Sequence, residues 1–187
     1  MLIKTSRLVL EPYGTKHYDT TVVYSTDPEN TKMMCFMPCE SGEEVMDYLR
    51  KCEIQWSKEK PEYLDAAILH DGKHIGAVSV EFFDNMTIGE LGWIISKAEW
   101  GSGFAYEAAA AFMQYCTEKF GVKKYIAHAD SENTASIRVM EKLGMKLVSV
   151  SDGRKNRISD EPRREVLYES AVSDNSPDFC NKDVPTC

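Results

Sequence analysis

The chain has 187 residues, with 22 Lys and Arg against 30 Asp and Glu, a formal charge of −8, 43% hydrophobic and 28% charged residues. That length and mix fit one globular domain burying about 70% of its unfolded surface, and the acidic balance argues against a nucleic-acid binder, which needs a basic face. No run approaches the ~18 apolar residues of a membrane span, the start MLIKTSRLVLE has no leader-like apolar stretch, and the six cysteines (35, 39, 52, 116, 180, 187) show no metal spacing. The expectation is therefore a cytoplasmic protein with no metal, no disulfide framework and no membrane or nucleic-acid partner.

In chain order, residues 5–12 predict a strand stopped by Pro12. A weak helix follows around 17–24, weakened by the β-branched Thr20, Thr21, Val22 and Val23. Residues 33–38 form an apolar loop. Ser41-Gly42-Glu43-Glu44 has the form of a capping box and opens a helix to about Lys58, with Val45, Leu49, Cys52 and Trp56 on one face and Cys52 buried. Pro61 separates it from a strand over 63–69. Asp71-Gly72 signals a hairpin into 74–83, and Asp84-Asn85 turns the chain into 87–95, so three strands form an antiparallel meander. After Trp100-Gly101-Ser102-Gly103, apolar residues at Ala105, Ala108, Ala109, Phe112, Met113, Cys116 and Phe120 keep a helical period, ended by Lys119 and Gly121. The next strand, 124–129, pairs in parallel with 87–95 as a right-handed βαβ unit. Ser131-Glu132-Asn133 caps a helix to Leu143, closed by Gly144. Strands over 145–150 and 165–169 flank a charged loop at 151–164. Residues 171–187, rich in Asp, Asn and Ser with two prolines, predict a disordered tail after a single domain over 1–170.

The chemistry concentrates at the glycine loop. A Gly-rich turn opening a helix offers unpaired N–H groups and the positive end of the dipole to a phosphate. The dinucleotide fingerprint fails, because Gly101-Ser102-Gly103-Phe104-Ala105-Tyr106 ends in tyrosine, and no P-loop signature occurs. Trp100-Gly101-Ser102-Gly103-Phe104-Ala105 instead resembles motif A of the GNAT superfamily of acyl-CoA N-acyltransferases, [Q/R]-x-x-G-x-[G/A], with Trp100 in the first position. With the x-Glu-Ala that follows, it looks like the RimJ/RimL-like branch, whose usual opening Thr-x-Arg-Leu-x-Leu-x-Pro stands at residues 5–12. A third block, Asn133 to Met145, is similar to the family's N-x-x-S-x-x-V-x-x-K-L-G-F. The resemblance covers roughly residues 3–170.

It implies an α/β fold, a mixed and mostly antiparallel sheet of about seven strands flanked by about four helices, with a central splayed parallel pair that admits the pantetheine arm. It implies acetyl transfer from acetyl-CoA to a primary amine, whose identity (protein N-terminus, polyamine, amino sugar or amino acid) stays open. The alternative is a catalytically silent acyl-CoA-binding or sensing module. Monomer and homodimer both remain open. Carried over residue by residue, Trp93, Ile94 and Ile95 meet the cofactor and supply an oxyanion N–H. Gly101, Ser102, Gly103, Phe104, Ala105 and Tyr106 hold the pyrophosphate, and Arg138 or Lys142 the CoA phosphates. Asn133 and Ser136 face the thioester and pantetheine. Glu90 is the expected base through water, with Leu91 and Trp93 desolvating it. Ser136 is the expected proton donor to sulfur, since Met140 stands where many members have tyrosine. His17, His70, His74 and His128 show no triad spacing and are expected to be structural or exposed.

Overall fold

The computed structural model describes residues 1–37 and 39–171; Pro38 and the expected tail, with Cys180 and Cys187, lie outside them. The elements run β1 (Ile3–Lys4), β2 (Leu8–Pro12), α1 (Tyr18–Ser25), α2 (Pro28–Thr31), α3 (Gly42–Ser57), β3 (Tyr63–His70), β4 (Lys73–Phe83) and β5 (Ile88–Ile95). They continue with α4 (Phe104–Phe120), β6 (Lys124–Asp130), α5 (Thr134–Lys142), β7 (Lys146–Arg154) and β8 (Arg163–Ala171). The strands make one sheet in the order β1-β2-β3-β4-β5-β6-β8-β7.

The eighth strand arises because residues 5–12 are not one strand. The Thr5 hydroxyl accepts the Leu8 N–H at 2.8 Å and the Thr5 N–H donates to the Leu8 carbonyl at 2.9 Å. That turn folds β1 back antiparallel on β2. The extra helix, α2, is one turn, started by Asp27 accepting the Glu29 N–H with proline in the first turn. The capping box of α3 is half formed: Ser41 accepts the Glu44 N–H at 3.2 Å, but the Glu44 carboxylate takes the N–H of Glu40 instead.

The meander β3-β4-β5 is as expected. Asp71 and Gly72 both have positive φ, 48° and 76°, the two-residue turn whose twist matches the flanking strands. One face of the sheet carries α4, whose Ala108, Ala109, Phe112 and Cys116 are fully buried. Small residues at two of these positions let the helix lie close to the strands. The other face carries α1 and α3 over a second cluster containing Tyr13, Tyr24, Val45, Leu49, Cys52 and Ile94. That cluster holds polar groups as well. His74 accepts from Thr20 at Nδ1 and donates from Nε2 to the Gly76 carbonyl at 2.9 Å. Asp65, buried on β3, accepts from the Tyr48 hydroxyl at 2.6 Å.

The expected charged loop at 151–164 is shorter than that, with only 155–162 outside the strands. β7 runs on to Arg154 and β8 starts at Arg163, and β8 lies between β6 and β7 rather than beside β7 alone. β7 is an edge strand open on both faces.

The feature that matters for function lies at the centre. β5 and β6 pair in parallel only at Ile88↔Lys124, Gly89↔Tyr125 and Glu90↔Ile126. Both strands continue beyond that point, to Ile95 and Asp130, as the two arms of a fork. The expected splayed pair is present.

Candidate active site

Strand alternation decides which groups face the fork. The Ser96 N–H donates to Ile75 on the β4 side at 2.8 Å, and the Thr87 carbonyl accepts from Lys124 on the β6 side at 3.2 Å. By the same alternation Glu90, Gly92 and Ile94 turn their backbone groups to β4, and Leu91, Trp93 and Ile95 turn theirs toward β6. Leu91 spends its N–H on the last rung, Glu90↔Ile126, and beyond it no strand stands opposite, so the Leu91 carbonyl and the Trp93 backbone groups open into the fork. Ile95 closes its far end, its carbonyl accepting from Trp100 Nε1 at 2.8 Å and Asn30 Nδ2 at 3.3 Å. Ile94 buries its side chain in the second core cluster.

At the last closed rung, the Glu90 carboxylate meets the imidazole of His128. Nδ1 lies 2.9 Å from Oε1, with side chains 30% (His128) and 32% (Glu90) exposed. His128 stands two residues past Ile126, the partner of Glu90, hence on the same face. His128, expected to be structural or exposed, is thus brought onto Glu90; the signal available in the sequence for this pairing was the period-2 parity of 126, 128 and 130. It also revises the surroundings of Glu90. Leu91 is adjacent in the strand and points to the opposite face, as does Trp93, so neither desolvates the carboxylate. The neighbour across β4 is Glu81, whose carboxyl is raised by its own burial and then by the Glu90 charge.

The glycine loop sits at the other end of β5. Gly101 and Gly103 have φ of 79° and 80°, and Gly103 caps α4. A Cβ at Gly101 would meet nothing within 4 Å and one at Gly103 only Arg7 Nη2 at 3.7 Å. The left-handed backbone, rather than crowding within the protein, is what calls for glycine here. The first capping bond within the helix runs from the Glu107 N–H to the Gly103 carbonyl at 3.2 Å, leaving the N–H groups of Phe104, Ala105 and Tyr106 without helical acceptors.

The loop is fastened by Thr5, Ser6 and Arg7, read in the sequence as a strand and as the opening typical of the RimJ/RimL-like branch, with no contact to this loop expected. Glu107 Oε1 accepts from Thr5 Oγ1 at 2.6 Å, Ser6 Oγ at 3.0 Å and the Arg7 N–H at 3.0 Å. Arg7 Nε donates to the other carboxylate oxygen at 2.7 Å, and Nη1 to the Ser102 carbonyl at 2.9 Å. The guanidinium lies 4.7 Å over the Phe104 ring. Burial pushes the Glu107 carboxyl up, and these donors more than offset it, holding it below the usual range.

On α5, Asn133 Oδ1 accepts the Ser136 N–H at 3.1 Å, so its oxygen is occupied as the helix cap. The half-buried Ser136 hydroxyl makes no hydrogen bond among the described residues. Arg138 and Lys142 are exposed, while Met140 is fully buried.

Residues 33–37 and 39–40 are held by Arg154 at the end of β7 and by Arg157 in the loop that follows it. Arg154 Nη2 donates to the Met33 carbonyl at 3.0 Å, Arg157 Nη1 to the Phe36 carbonyl at 2.8 Å, and Arg157 also pairs with Glu40 and Glu44. Beneath them Arg163 grips the fully buried Asp130 through Nε at 2.8 Å and Nη2 at 3.0 Å, and Asn156 donates to the same carboxylate at 2.6 Å. No group of three or more His, Cys, Asp or Glu side chains placed to hold a metal occurs among the described residues.

Comparison with known proteins bears on this arrangement. A family model described as an acetyltransferase (GNAT) domain matches residues 7–146. The uncharacterized Bacillus subtilis protein YkkB is 37% identical over 76 residues, 40% of this chain and 44% of that protein, so the match spans less than half of its length. The uncharacterized N-acetyltransferase YnaD of Bacillus subtilis is 27% identical over 151 residues, 78% of this chain and 83% of YnaD. The structure of RimL, a ribosomal L7/L12 alpha-N-protein acetyltransferase in complex with coenzyme A, superposes with a TM-score of 0.81 at 13% identity, covering 92% of this chain and 98% of that one. An acetyltransferase of this family takes its acyl group from acetyl-CoA, and the free helix N-terminus, open strand edge and polar pair described above fit that use. With its family model covering most of its length, the chain belongs to the GNAT acetyltransferase family.

Proposed function

We propose that this protein moves the acetyl group of acetyl-CoA to a primary amine, a protein N-terminus or a small amine, in the manner of the RimJ/RimL-like branch. The observation that carries the reading is the fork, where an open β5 edge, a helix N-terminus ready for a pyrophosphate and a carboxylate–imidazole pair converge. The pyrophosphate rests on the N–H groups of residues 103–106, with Arg138 and Lys142 beside it. The pantetheine amides pair with the open edge at Leu91 and Trp93, where the Trp93 N–H faces the developing oxyanion. Glu90 and His128 serve the amine, whose nitrogen has to lose a proton to become a nucleophile. Ser136, with its free hydroxyl, is the donor on the sulfur side. Segment 33–40 and the 155–162 loop form the acceptor wall. The resemblance to the RimJ/RimL-like opening and the fold shared with RimL support a protein N-terminus among the candidates. Cysteines 35, 39, 52 and 116 are unpaired thiols, in keeping with a cytoplasmic setting.

The test has two parts. Acetyl-CoA at a hundredfold excess over Kd raises unfolding stability by about 2.7 kcal/mol. CoA release follows with a panel of primary amines and N-terminal peptides. Stabilisation without CoA release from any acceptor identifies instead a silent acyl-CoA-binding module, the reading that the burial of Met140 in place of a tyrosine acid leaves standing.

A further inference from the structure

We infer that Nε2 of His128 is the atom that takes the amine's proton, and that Glu90 is the positioning residue that holds the ring by its Nδ1–H. The inference rests on the acetyl-transfer reading and divides the work of its base between two residues.

The first ground is the direction of the bond. An ionised carboxylate only accepts, so the 2.9 Å contact places the ring proton on Nδ1 and leaves the lone pair on Nε2. Nε2 has no partner among the described residues. The second ground is position. Glu90 occupies the last rung at which β5 and β6 are paired, whereas His128 belongs to the part of β6 that has parted from β5. The imidazole therefore stands on the open arm of the fork, beyond the last rung, with the carboxylate at its root. The third ground is the charge around it. On β8, Glu165 is paired with Arg154 and Glu169 with Lys124; on β6 itself, Asp130 is paired with Arg163. Glu90 is bound to no cation other than the ring, and Glu81 on β4 adds a second negative charge beside it. The ring is thus the one hydrogen-bond partner that the Glu90 carboxylate has among the described residues.

The step balances. The amine nitrogen bonds to the thioester carbon, the C–S bond breaks with its electron pair passing to sulfur, and the nitrogen's proton goes to Nε2. The imidazolium, held by Glu90, returns that proton to water, and the thiolate is protonated through Ser136 or by solvent.

His128→Asn and Glu90→Gln separate the two roles, assayed with an amine that the wild type acetylates. Asparagine keeps an N–H near the place of Nδ1 for Glu90 and has no second nitrogen. If His128 is the base, His128→Asn lowers kcat/KM for the amine ~10²–10⁴-fold while the Kd for acetyl-CoA stays within about twofold. Glu90→Gln loses less, and its acidic limb persists, because the proton acceptor is still in place. If Glu90 is the base, that limb disappears with the carboxylate and His128→Asn stays near wild type. Either result overturns the assignment while leaving acetyl transfer intact. Should His128→Asn fail to fold, as shown by its melting curve, the limb of Glu90→Gln decides alone. A wild type that releases no CoA with any amine overturns both the acetyl-transfer reading and this one.

Discussion

Arg7 shows how one exposed residue reaches a cofactor site from the far end of the chain. Its guanidinium ties the Ser102 carbonyl and the Glu107 carboxylate together and lies over Phe104, so it sets the backbone proposed above to hold the pyrophosphate. The side chain is 45% exposed, and exposed ion pairs contribute little to stability. Arg7→Ala is therefore expected to leave the melting temperature nearly unchanged and to raise KM for acetyl-CoA about tenfold, the equivalent of roughly 1.4 kcal/mol, with KM for the amine unmoved. Arg7→Lys does not restore it, because an ammonium cannot bridge two acceptors as the planar fork does. Steady-state kinetics with each substrate varied in turn check this. The glycines and the helix they open were legible as local pattern, since a turn and a 3.6 period are written in adjacent residues. The Arg7–Glu107 contact spans 100 positions, and the Glu90–His128 contact spans 38. Nothing in the spacing of those residues announces either; both exist because strand order and side-chain parity bring them together.

At the scale of elements, the C-terminal pair β7–β8 does more than finish the sheet. Its arginines carry two kinds of contact, and burial separates their consequences. Asp130 is fully buried against an Arg163 side chain that is 10% exposed. Burial pushes the Asp130 carboxyl up, and the Arg163 bonds and the Glu132 N–H bring it below the ordinary range. Removing Arg163 leaves the buried Asp130 carboxylate with no cation beside it, so Arg163→Ala is expected to cost about 3 kcal/mol or more in a urea titration. Arg157 pairs at the surface with Glu40 and Glu44. Arg157→Ala is expected to leave the urea midpoint within error, yet raise KM for the amine by freeing segment 33–40, without affecting acetyl-CoA. The same amine KM in both proteins would show that this wall does not shape the acceptor site. Residues 151–164 looked like loop because their charges outnumber apolar residues. The strands form there because the charges at Arg154, Arg163 and Glu165 are paired across them and down to Asp130. Pairing of that kind belongs to the tertiary structure, and composition does not carry it.

For the whole molecule, two groups in the core beneath α1 and α3 make opposite demands on pH. Burial first, then the neighbouring His17, lower His74 from 6.5 to about 4. The unfolded chain thus binds a proton that the folded one refuses between those values, and stability falls as pH drops through that window. Burial raises Asp65 from 3.8 to about 6; there the folded state holds the extra proton, and stability rises as pH drops from 6 to 3.8. Each contribution is on the order of 2 kcal/mol, so between pH 4 and 6 they nearly cancel. Relative to wild type, His74→Gln is expected to gain stability on acidification and Asp65→Asn to lose it; parallel urea curves for all three proteins would refute the pairing. The sheet that surrounds these groups has its own asymmetry, which shows during synthesis. β6 is completed by β8, not by β7, and 163 − 130 = 33 positions separate the end of β6 from the start of β8. At about 5–20 residues per second, a nascent chain carries β6 with one bare edge for roughly two to seven seconds. A ribosome that pauses inside that interval holds an unpaired edge open to other chains for as long as the pause lasts.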